Sequence, residues 1–178
     1  VLNFSGVRGV EVSWLESPLN VAAGIEARLE NYSISAGEPD SYRNGGVLLP
    51  NGNPTASGAQ VFPGFQPDNA VDEDRTAVGA YVDIEANLTE RFLGSVALRV
   101  EDYSDFGSNL SGKLAGRYDF TESFALRGSL QNGFRAPSLQ QQYFATTSTN
   151  FINGVPFDIA TFPVDDPVAE ALGAKPLD

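Results

Sequence analysis

The sequence contains no cysteine, no histidine and no methionine. Without cysteine there is neither a disulfide framework nor a thiolate that could bind a metal or attack a substrate. Without histidine the chain lacks the commonest metal ligand and the commonest general base. The sequence therefore predicts no metal site and no cofactor, and an enzyme built on it would depend on carboxylates, lysine, tyrosine or serine alone.

Long apolar runs are also missing. No stretch approaches the roughly 18 consecutive apolar residues that indicate a transmembrane helix. The chain starts at Val1 and shows no charged and then apolar leader, so we expect an internal segment of a longer protein whose signal peptide lies upstream or was removed. A membrane β-barrel stays open, because its strands give a much weaker hydropathy signal than a helix does.

Positive charge is scarce. The chain has 11 Lys and Arg residues against 23 Asp and Glu residues, for a net charge of −12. Residues 36–74 and 137–178 hold 11 of the acids but only Arg43 and Lys175 among the bases, so they carry −9 of that charge. The sequence does not predict nucleic-acid binding, because such binding needs a basic face.

The main pattern that is present is alternation of apolar and polar residues, which predicts β-strands. The clearest strand is 75–88, and the other alternating segments are 1–14, 19–35, 92–103, 109–118 and 124–135. In the segment 1–14, the alternating residues Val10, Val12 and Trp14 indicate the end of a strand. Residues 36–74 and 137–178 show no sustained alternation, so we predict an all-β antiparallel up-and-down meander of about six strands with two long loops. Within the second loop, Asp166 as N-cap and Gly173 as C-terminal stop predict one short helix.

The order of the connections points to a membrane. Short turns alternate with long loops, which is typical of outer-membrane barrels with short periplasmic turns and long outer loops. Aromatic rings are favoured at the membrane–water interface, and five of them flank the short turns: Trp14, Phe92, Tyr118, Phe120 and Phe124. The alternative is a soluble sandwich in which these rings cap one end of the core.

The two faces of the strands differ in charge. The apolar face between residues 75 and 136 has no charged side chain near mid-strand, which agrees with the cost of about 2–4 kcal/mol for a cation at the bilayer midplane. The other face would line a polar lumen with cross-strand ion pairs, or form the wet face of a sandwich. Its charged residues are Glu26, Arg28, Glu30, Asp83, Glu85, Arg99, Glu101, Lys113, Arg117, Arg127 and Arg135. We predict a segment of a large transmembrane β-barrel.

The segment GFRAPSL, Gly133-Phe134-Arg135-Ala136-Pro137-Ser138-Leu139, resembles the barrel motif of TonB-dependent outer-membrane receptors. Four more segments resemble that family in the same order: LNVAAGIEARLENY at 19–32, GAQVFPGFQP at 58–67, RVEDYSDFGS at 99–108 and ALGAKPLD at 171–178, which is similar to the start of an LKPE-type motif. The resemblance covers nearly the whole chain. It implies a barrel of roughly 22 strands with a plug in its lumen, located in the bacterial outer membrane.

In that family, residues 1–178 would be part of the barrel domain, with loops 36–74 and 137–178 extracellular and the plug outside this chain. The implied function is TonB-energised uptake of a scarce solute, typically a ferric siderophore, cobalamin or a carbohydrate. The implied partners are a small-molecule ligand such as a metal chelate, outer-membrane lipids, and the TonB complex through a part of the receptor not in this chain. The sequence does not name the ligand, because loops and plug select it together.

Candidate ligand-binding residues combine hydrogen-bond donors with aromatic rings. They are Tyr42, Arg43, Phe62, Phe65 and Gln66 on the first loop, and Arg135, Gln140, Gln141 and Tyr143 after the last strand. The alternative for Phe62 and Phe65 is packing on the base of their own loop, and for Arg135 it is an ion pair with a lumen carboxylate. Four loop acids either maintain solubility or bridge lipopolysaccharide through a divalent metal: Asp68, Asp72, Glu73 and Asp74.

Two other functions compete with transport. One is a passive outer-membrane pore or adhesin-like barrel, which would lack a plug and a TonB-contacting stretch. The other is an enzyme, for which Asp83 and Glu85 are a pair of carboxylates on one face. Bases on neighbouring strands make ion pairing the simpler interpretation of that pair, and a Ser-His site is excluded without histidine. We predict no catalytic residue.

Overall fold

A computed structural model describes residues 1–59 and 62–175. Six antiparallel strands form one sheet in chain order: β1 (Leu2–Val10), β2 (Leu19–Ile34), β3 (Val71–Thr89), β4 (Phe92–Tyr103), β5 (Gly107–Thr121) and β6 (Phe124–Gln131). A hairpin of β7 (Thr146–Ile152) and β8 (Val155–Thr161) forms a second sheet, and two short helices are α1 (Leu139–Tyr143) and α2 (Pro167–Ala171). The predicted antiparallel meander is confirmed. No described helix is long and apolar enough to cross a bilayer.

The contacts divide the chain into two compact units. The sheet unit comprises residues 1–29 and 75–136, and the loop unit comprises residues 30–74 and the described residues from 137 onward. The sheet unit contains β1, β4, β5, β6 and most of β2 and β3. The loop unit contains the β7–β8 hairpin, both α-helices and two single-turn 3-10 helices, Pro39–Ser41 and Pro67–Asn69.

Strand register places the apolar residues of the sheet unit in rows on one face. Ile84 lies opposite Val96, Val96 opposite Leu114, and Leu114 opposite Leu130. Val96, Leu114 and Leu130 are 41%, 61% and 77% exposed. A soluble sandwich needs a second layer over such a row to form its core. No described layer covers these residues, so the soluble-sandwich alternative is wrong.

The end of β1 and the beginning of β3 differ from prediction. β1 ends at Val10, so Val12 and Trp14 lie in the connection to β2 rather than in a strand. This connection bonds to the end of β3 instead: Glu16 N donates to Asn87 O (3.2 Å), and Asn87 N donates to Ser17 Oγ (2.9 Å). β3 begins at Val71, so residues 71–74 belong to the strand and not to the predicted loop.

The last strand of the sheet is also shorter than predicted. β6 ends at Gln131, and one further backbone bond to β5 follows it, from Asn132 N to Gly112 O (3.1 Å). The side chain of Asn132 makes the next contacts with β5. Asn132 Oδ1 accepts from Gly112 N (2.7 Å), and its Nδ2 donates to Leu110 O (3.1 Å). The strand predicted over 124–135 therefore stops four residues before its predicted end.

The second predicted loop contains regular structure. Ser138 begins α1 with a capping box, in which Ser138 Oγ accepts from Gln141 N and Gln141 Oε1 accepts from Ser138 N. The β7–β8 hairpin turns at Asn153 and Gly154, whose φ angles of 52° and 80° are those of a type I′ turn. The predicted helix is confirmed as α2, with Asp166 Oδ1 accepting from Val168 N (2.7 Å) and Gly173 at a φ of 96°.

We expect Gly154→Ala to weaken the β7–β8 hairpin by about 1–2 kcal/mol, because an L-residue is disfavoured at positive φ. A Cβ at this position meets no atom within 4 Å, so the effect would come from the backbone alone. Amide hydrogen exchange of the hairpin in the full-length receptor would then become about 5–30-fold faster. Gly128→Ala is the control, since that glycine has equal space and no positive φ; equal effects of the two variants would contradict the prediction.

Candidate functional site

Aromatic rings form a continuous belt at the end of the sheet that holds the short turns. Ring centroids are 6.5 Å apart for Phe92 and Tyr118, 4.8 Å for Tyr118 and Phe120, and 5.6 Å for Phe120 and Phe124. Tyr118, Phe120 and Phe124 are 41–60% exposed. The belt flanks the connections at 90–91 and 122–123. Exposed amphipathic rings in this arrangement suit a membrane–water interface.

The opposite face of the sheet unit carries a network of charges. Arg99 Nη2 lies 2.8 Å from Glu101 Oε1 and 3.5 Å from Glu26 Oε1, which also lies 3.5 Å from Arg28 Nη2. Glu26 is on β2 and Arg99 on β4, so their contact passes over β3. Gly79 on β3 leaves room for the Glu101 side chain of this network, because a Cβ at position 79 would lie only 3.3 Å from Glu101 Cγ.

Cross-strand pairing was predicted for this face, and the Arg99–Glu26 contact is one example. Two short ion pairs on this face, however, join residues two apart in one strand: Arg99 with Glu101, and Arg117 with Asp119, both at 2.8 Å. Residues i and i+2 share a face of a strand, so they pair without crossing the sheet. Arg117 lies directly opposite Arg127 on β6, and its pairing with Asp119 offsets that like-charge contact.

A buried ion pair lies where β3 meets the β4–β5 connection. The side chain of Arg75 is 3% exposed; its Nε donates to both carboxylate oxygens of Asp105 (3.0 and 2.8 Å), and its Nη2 is 2.7 Å from Oδ2. The guanidinium also lies 5.9 Å from the ring centroid of Tyr103 and 5.4 Å from that of Phe106. Bidentate pairing and ring contact suit the planar guanidinium.

The start of the GFRAPSL segment packs against the two rings that flank the Arg75–Asp105 pair. The ring of Phe134 packs edge-on against Tyr103 (5.9 Å) and Phe106 (6.4 Å). The prediction that the last strand runs through Phe134 to residue 135 is therefore wrong, because β6 ends at Gln131. Two of the five motif segments, 99–108 and 133–139, are thus in direct contact. The remaining motif residues comprise exposed Gly133 and Arg135, half-buried Ala136 and Pro137, the cap Ser138, and buried Leu139.

In the loop unit, the two long stretches pack together through aromatic rings. Phe65 lies edge-on to Phe144, with centroids 6.4 Å apart. The carbonyl of Phe65 accepts from Gly37 N (2.9 Å), so its backbone is held at the base of its own loop. Phe62 is 86% exposed and does not pack at that base. Positions 60 and 61 of the GAQVFPGFQP segment, and 176–178 of the ALGAKPLD segment, lie outside the described residues.

A cavity of about 560 Å³ lies within the loop unit. It brings together two of the nine candidate ligand-binding residues, Gln66 and Tyr143. The other residues that line it are Asp68, Asn69, Ala70, Val71, Glu73, Ala145, Thr147, Ala160, Thr161, Phe162, Pro163, Asp165 and Asp166. Four of these are carboxylates and none is basic, so the cavity combines negative charge with apolar and aromatic wall.

The other seven candidates do not line this cavity. Arg43 pairs with Asp40 at 2.7 Å, and Gln141 is engaged in the cap of α1. Tyr42 is half-buried, whereas Phe62, Phe65, Arg135 and Gln140 are exposed. Sequence analysis missed Asn69, Phe162 and Asp165. One sequence signal could have predicted the hairpin that lines part of the cavity: the Asn153–Gly154 pair between two β-rich runs, which marks a hairpin turn.

Two of the four acids predicted to bridge lipopolysaccharide, Asp72 and Asp74, share a partner within the chain. Asn31 Nδ2 donates to Asp72 Oδ1 (2.8 Å) and to Asp74 Oδ1 (2.9 Å). Within residues 1–59 and 62–175, no group of three or more acidic side chains is arranged to hold a metal ion. Bridging of lipopolysaccharide through a metal at these acids therefore has no geometric support in the described chain.

A meander with one uncovered apolar face, an aromatic belt at its short-turn end and a charged opposite face defines a segment of an outer-membrane β-barrel. The chain belongs to the TonB-dependent receptor family: the family model described as TonB dependent receptor-like, beta-barrel matches residues 8–165. It is accordingly part of a protein of the bacterial outer membrane. The predicted family, fold and location are confirmed.

Among curated proteins, the chain is similar to the vitamin B12 transporter BtuB of three strains of Vibrio cholerae serotype O1. Each match is 33% identical over 76 residues, which is 43% of this chain and 12% of the transporter. The match thus spans only a small part of the length of these relatives. No solved structure matches the chain.

Proposed function

We propose that this chain is a barrel segment of a transporter that takes up a scarce metal chelate across the outer membrane with energy delivered through TonB. The observation that carries the proposal is the family match over residues 8–165. In this proposal the sheet unit is part of the barrel wall, the loop unit is extracellular and meets the ligand, and the plug and TonB-contacting stretch belong to other parts of the receptor.

The loop unit supports a ligand-binding role. Its cavity of about 560 Å³ is within the range of small-molecule sites, which combine apolar lining with a few polar groups. Gln66, Asn69 and Tyr143 supply such polar groups beside Phe162. We therefore place the first ligand contacts at this cavity, with the remaining candidate residues on neighbouring surface.

Two chelates are candidate substrates. The name of the similar transporters favours cobalamin as the first compound to test. A ferric siderophore is the second, as an iron chelate is a typical solute of this family. Both are bulky, scarce and too large for passive diffusion through a narrow pore, which is the physical reason for energised import.

Growth of a receptor-deletion strain tests the function. The full-length gene is returned on a plasmid, and growth is followed on limiting cobalamin, on ferric siderophores and on sugars, with and without the TonB gene. We expect growth to be restored on one chelate only and to be lost when TonB is removed. Uptake that persists without TonB would contradict the proposal and favour the passive-pore alternative, and restored surface adhesion without uptake would favour an adhesin.

A further inference from the structure

The lining of the loop-unit cavity is one-sided in charge. Asp68, Glu73 and Asp165 are exposed side chains on its wall, and Asp166 contributes a fourth carboxylate while it caps α2. Neither of the two bases in residues 36–74 and 137–178, Arg43 and Lys175, lines it. An anion entering this cavity would therefore meet carboxylates with no compensating cation.

A buried amide also faces this cavity wall. Asn69 is 6% exposed, and its Oδ1 accepts from Gln66 N at 3.0 Å. Its Nδ2 group makes no hydrogen bond to any residue in the described part of the chain. Because Asn69 lines the cavity and this N–H group has no acceptor in the chain, it can donate a hydrogen bond to a carbonyl or hydroxyl oxygen of a ligand.

The rest of the wall is apolar or aromatic. Phe162 is 42% exposed, and Pro163, Ala145 and Ala160 lie on the same cavity. These groups offer contact to the methylene or ring portions of a ligand. The cavity thus presents three chemistries together: carboxylates, a single amide donor and an apolar wall.

We propose that this cavity selects a chelate of zero or positive net charge that presents a carbonyl or hydroxyl oxygen to Asn69, and that it rejects polyanionic chelates. This inference rests on the proposed transport function and narrows its substrate class. Cationic ferric hydroxamates and neutral corrinoids with amide side chains fit this class. Ferric tris(catecholates), which are trianionic, do not.

The test is equilibrium binding to the purified full-length receptor. The probes are ferrioxamine B (a cationic trihydroxamate), cyanocobalamin (neutral) and a ferric tris(catecholate), each titrated at low and high salt. We expect one of the first two to bind at least about 10-fold more tightly than the tris(catecholate). If the bound probe is the cationic one, its affinity should fall as salt rises, because salt screens exposed charges.

Three variants locate the selectivity. Asp165→Asn and Glu73→Gln each remove one negative charge from the wall, and we expect each to weaken ferrioxamine B binding by about 2–5-fold, the usual range for a screened surface charge. The same variants should strengthen tris(catecholate) binding. Glu170→Gln removes an equal charge from an exposed position of α2 that does not line the cavity, and it should leave both unchanged.

Asn69→Asp separates the ligand role of Asn69 from its structural role. Aspartate keeps an oxygen that can accept from Gln66 N, but it has no amide donor. We expect this variant to fold normally by circular dichroism and, where cyanocobalamin is the bound probe, to weaken its binding by about 10-fold, the loss of one hydrogen bond. Wild-type affinity for every probe would overturn the role of Asn69.

The outcomes distinguish this inference from the proposed function. Preference for the tris(catecholate), equal effects of Asp165→Asn and Glu170→Gln on the binding of the charged probes, or failure of all three probes to bind would overturn the inference. TonB-dependent uptake of a polyanionic chelate would overturn it while leaving the proposed function standing. Selective binding of the neutral or cationic probe, together with uptake that does not depend on TonB, would overturn the proposed function and leave the inference standing.

Discussion

Asp105→Ala is expected to destabilise the receptor by about 3–5 kcal/mol, because it leaves the guanidinium of Arg75 buried without its carboxylate. Arg75 is 3% exposed and the Asp105 side chain 17% exposed, so little water can replace the lost oxygens. The cation also cannot leave readily, since Tyr103 and Phe106 flank it. Urea unfolding of the full-length receptor, followed by intrinsic fluorescence, measures the change.

Asp119→Ala is a matched control for that experiment. Asp119 accepts from Arg117 Nε (3.0 Å) and Nη2 (2.8 Å), distances close to those of the Arg75–Asp105 pair. The difference is burial: the Arg117 and Asp119 side chains are 56% and 39% exposed. An exposed pair contributes about 0–1 kcal/mol. Losses of similar size at the two sites would show that burial of Arg75 does not govern its energy.

Val96→Lys is expected to destabilise the receptor by about 2–4 kcal/mol, or to prevent its assembly into the outer membrane, because a cation on the lipid face is disfavoured near the midplane. Val96 lies four residues from Phe92 of the aromatic belt, which is about 13 Å along the strand. That distance places it well inside an apolar band about 25 Å tall. The measurement is the amount of folded receptor in isolated outer membranes, together with its unfolding in urea.

Ser95→Lys tests the same strand one residue away. Ser95 lies on the charged face, opposite Glu85 on β3 and Ala115 on β5. A lysine there would stand opposite a carboxylate, so we expect a change within about 0.5 kcal/mol of wild type. If Ser95→Lys were the damaging variant and Val96→Lys were tolerated, the assignment of the two faces would be reversed.

Alternation along the chain was enough to predict the meander and the faces of β3, β4 and β5. It failed where one side chain changes the local pairing. Asn132 looks like the next residue of an alternating strand, but its amide occupies the hydrogen-bonding positions on β5 and ends β6. Phe134 consequently packs against Tyr103 and Phe106 instead of facing lipid. Periodicity does not register that competition between a side chain and the backbone.

The candidate site was harder to predict for a different reason. Gln66 and Tyr143 are 77 positions apart, and they meet because Phe65 packs on Phe144 and because the β7–β8 hairpin folds back. Asn69 is polar in sequence and buried in the structure, which no composition argument indicates. Ser138 and Gln141 form a capping-box pattern that is visible in the sequence, so α1 is predictable from local signals.

The side chain of Asn132 has a consequence for the height of the barrel wall. Neighbouring β5 continues through Leu110 and Gly112. The side-chain amide of Asn132 accepts from Gly112 N and donates to Leu110 O, while Gly112 O accepts from Asn132 N. The place where these two strands separate therefore depends on the contacts of a single residue. We therefore expect a substitution of Asn132 to change where β5 and β6 separate, and with it the position from which the Phe134 ring reaches Tyr103.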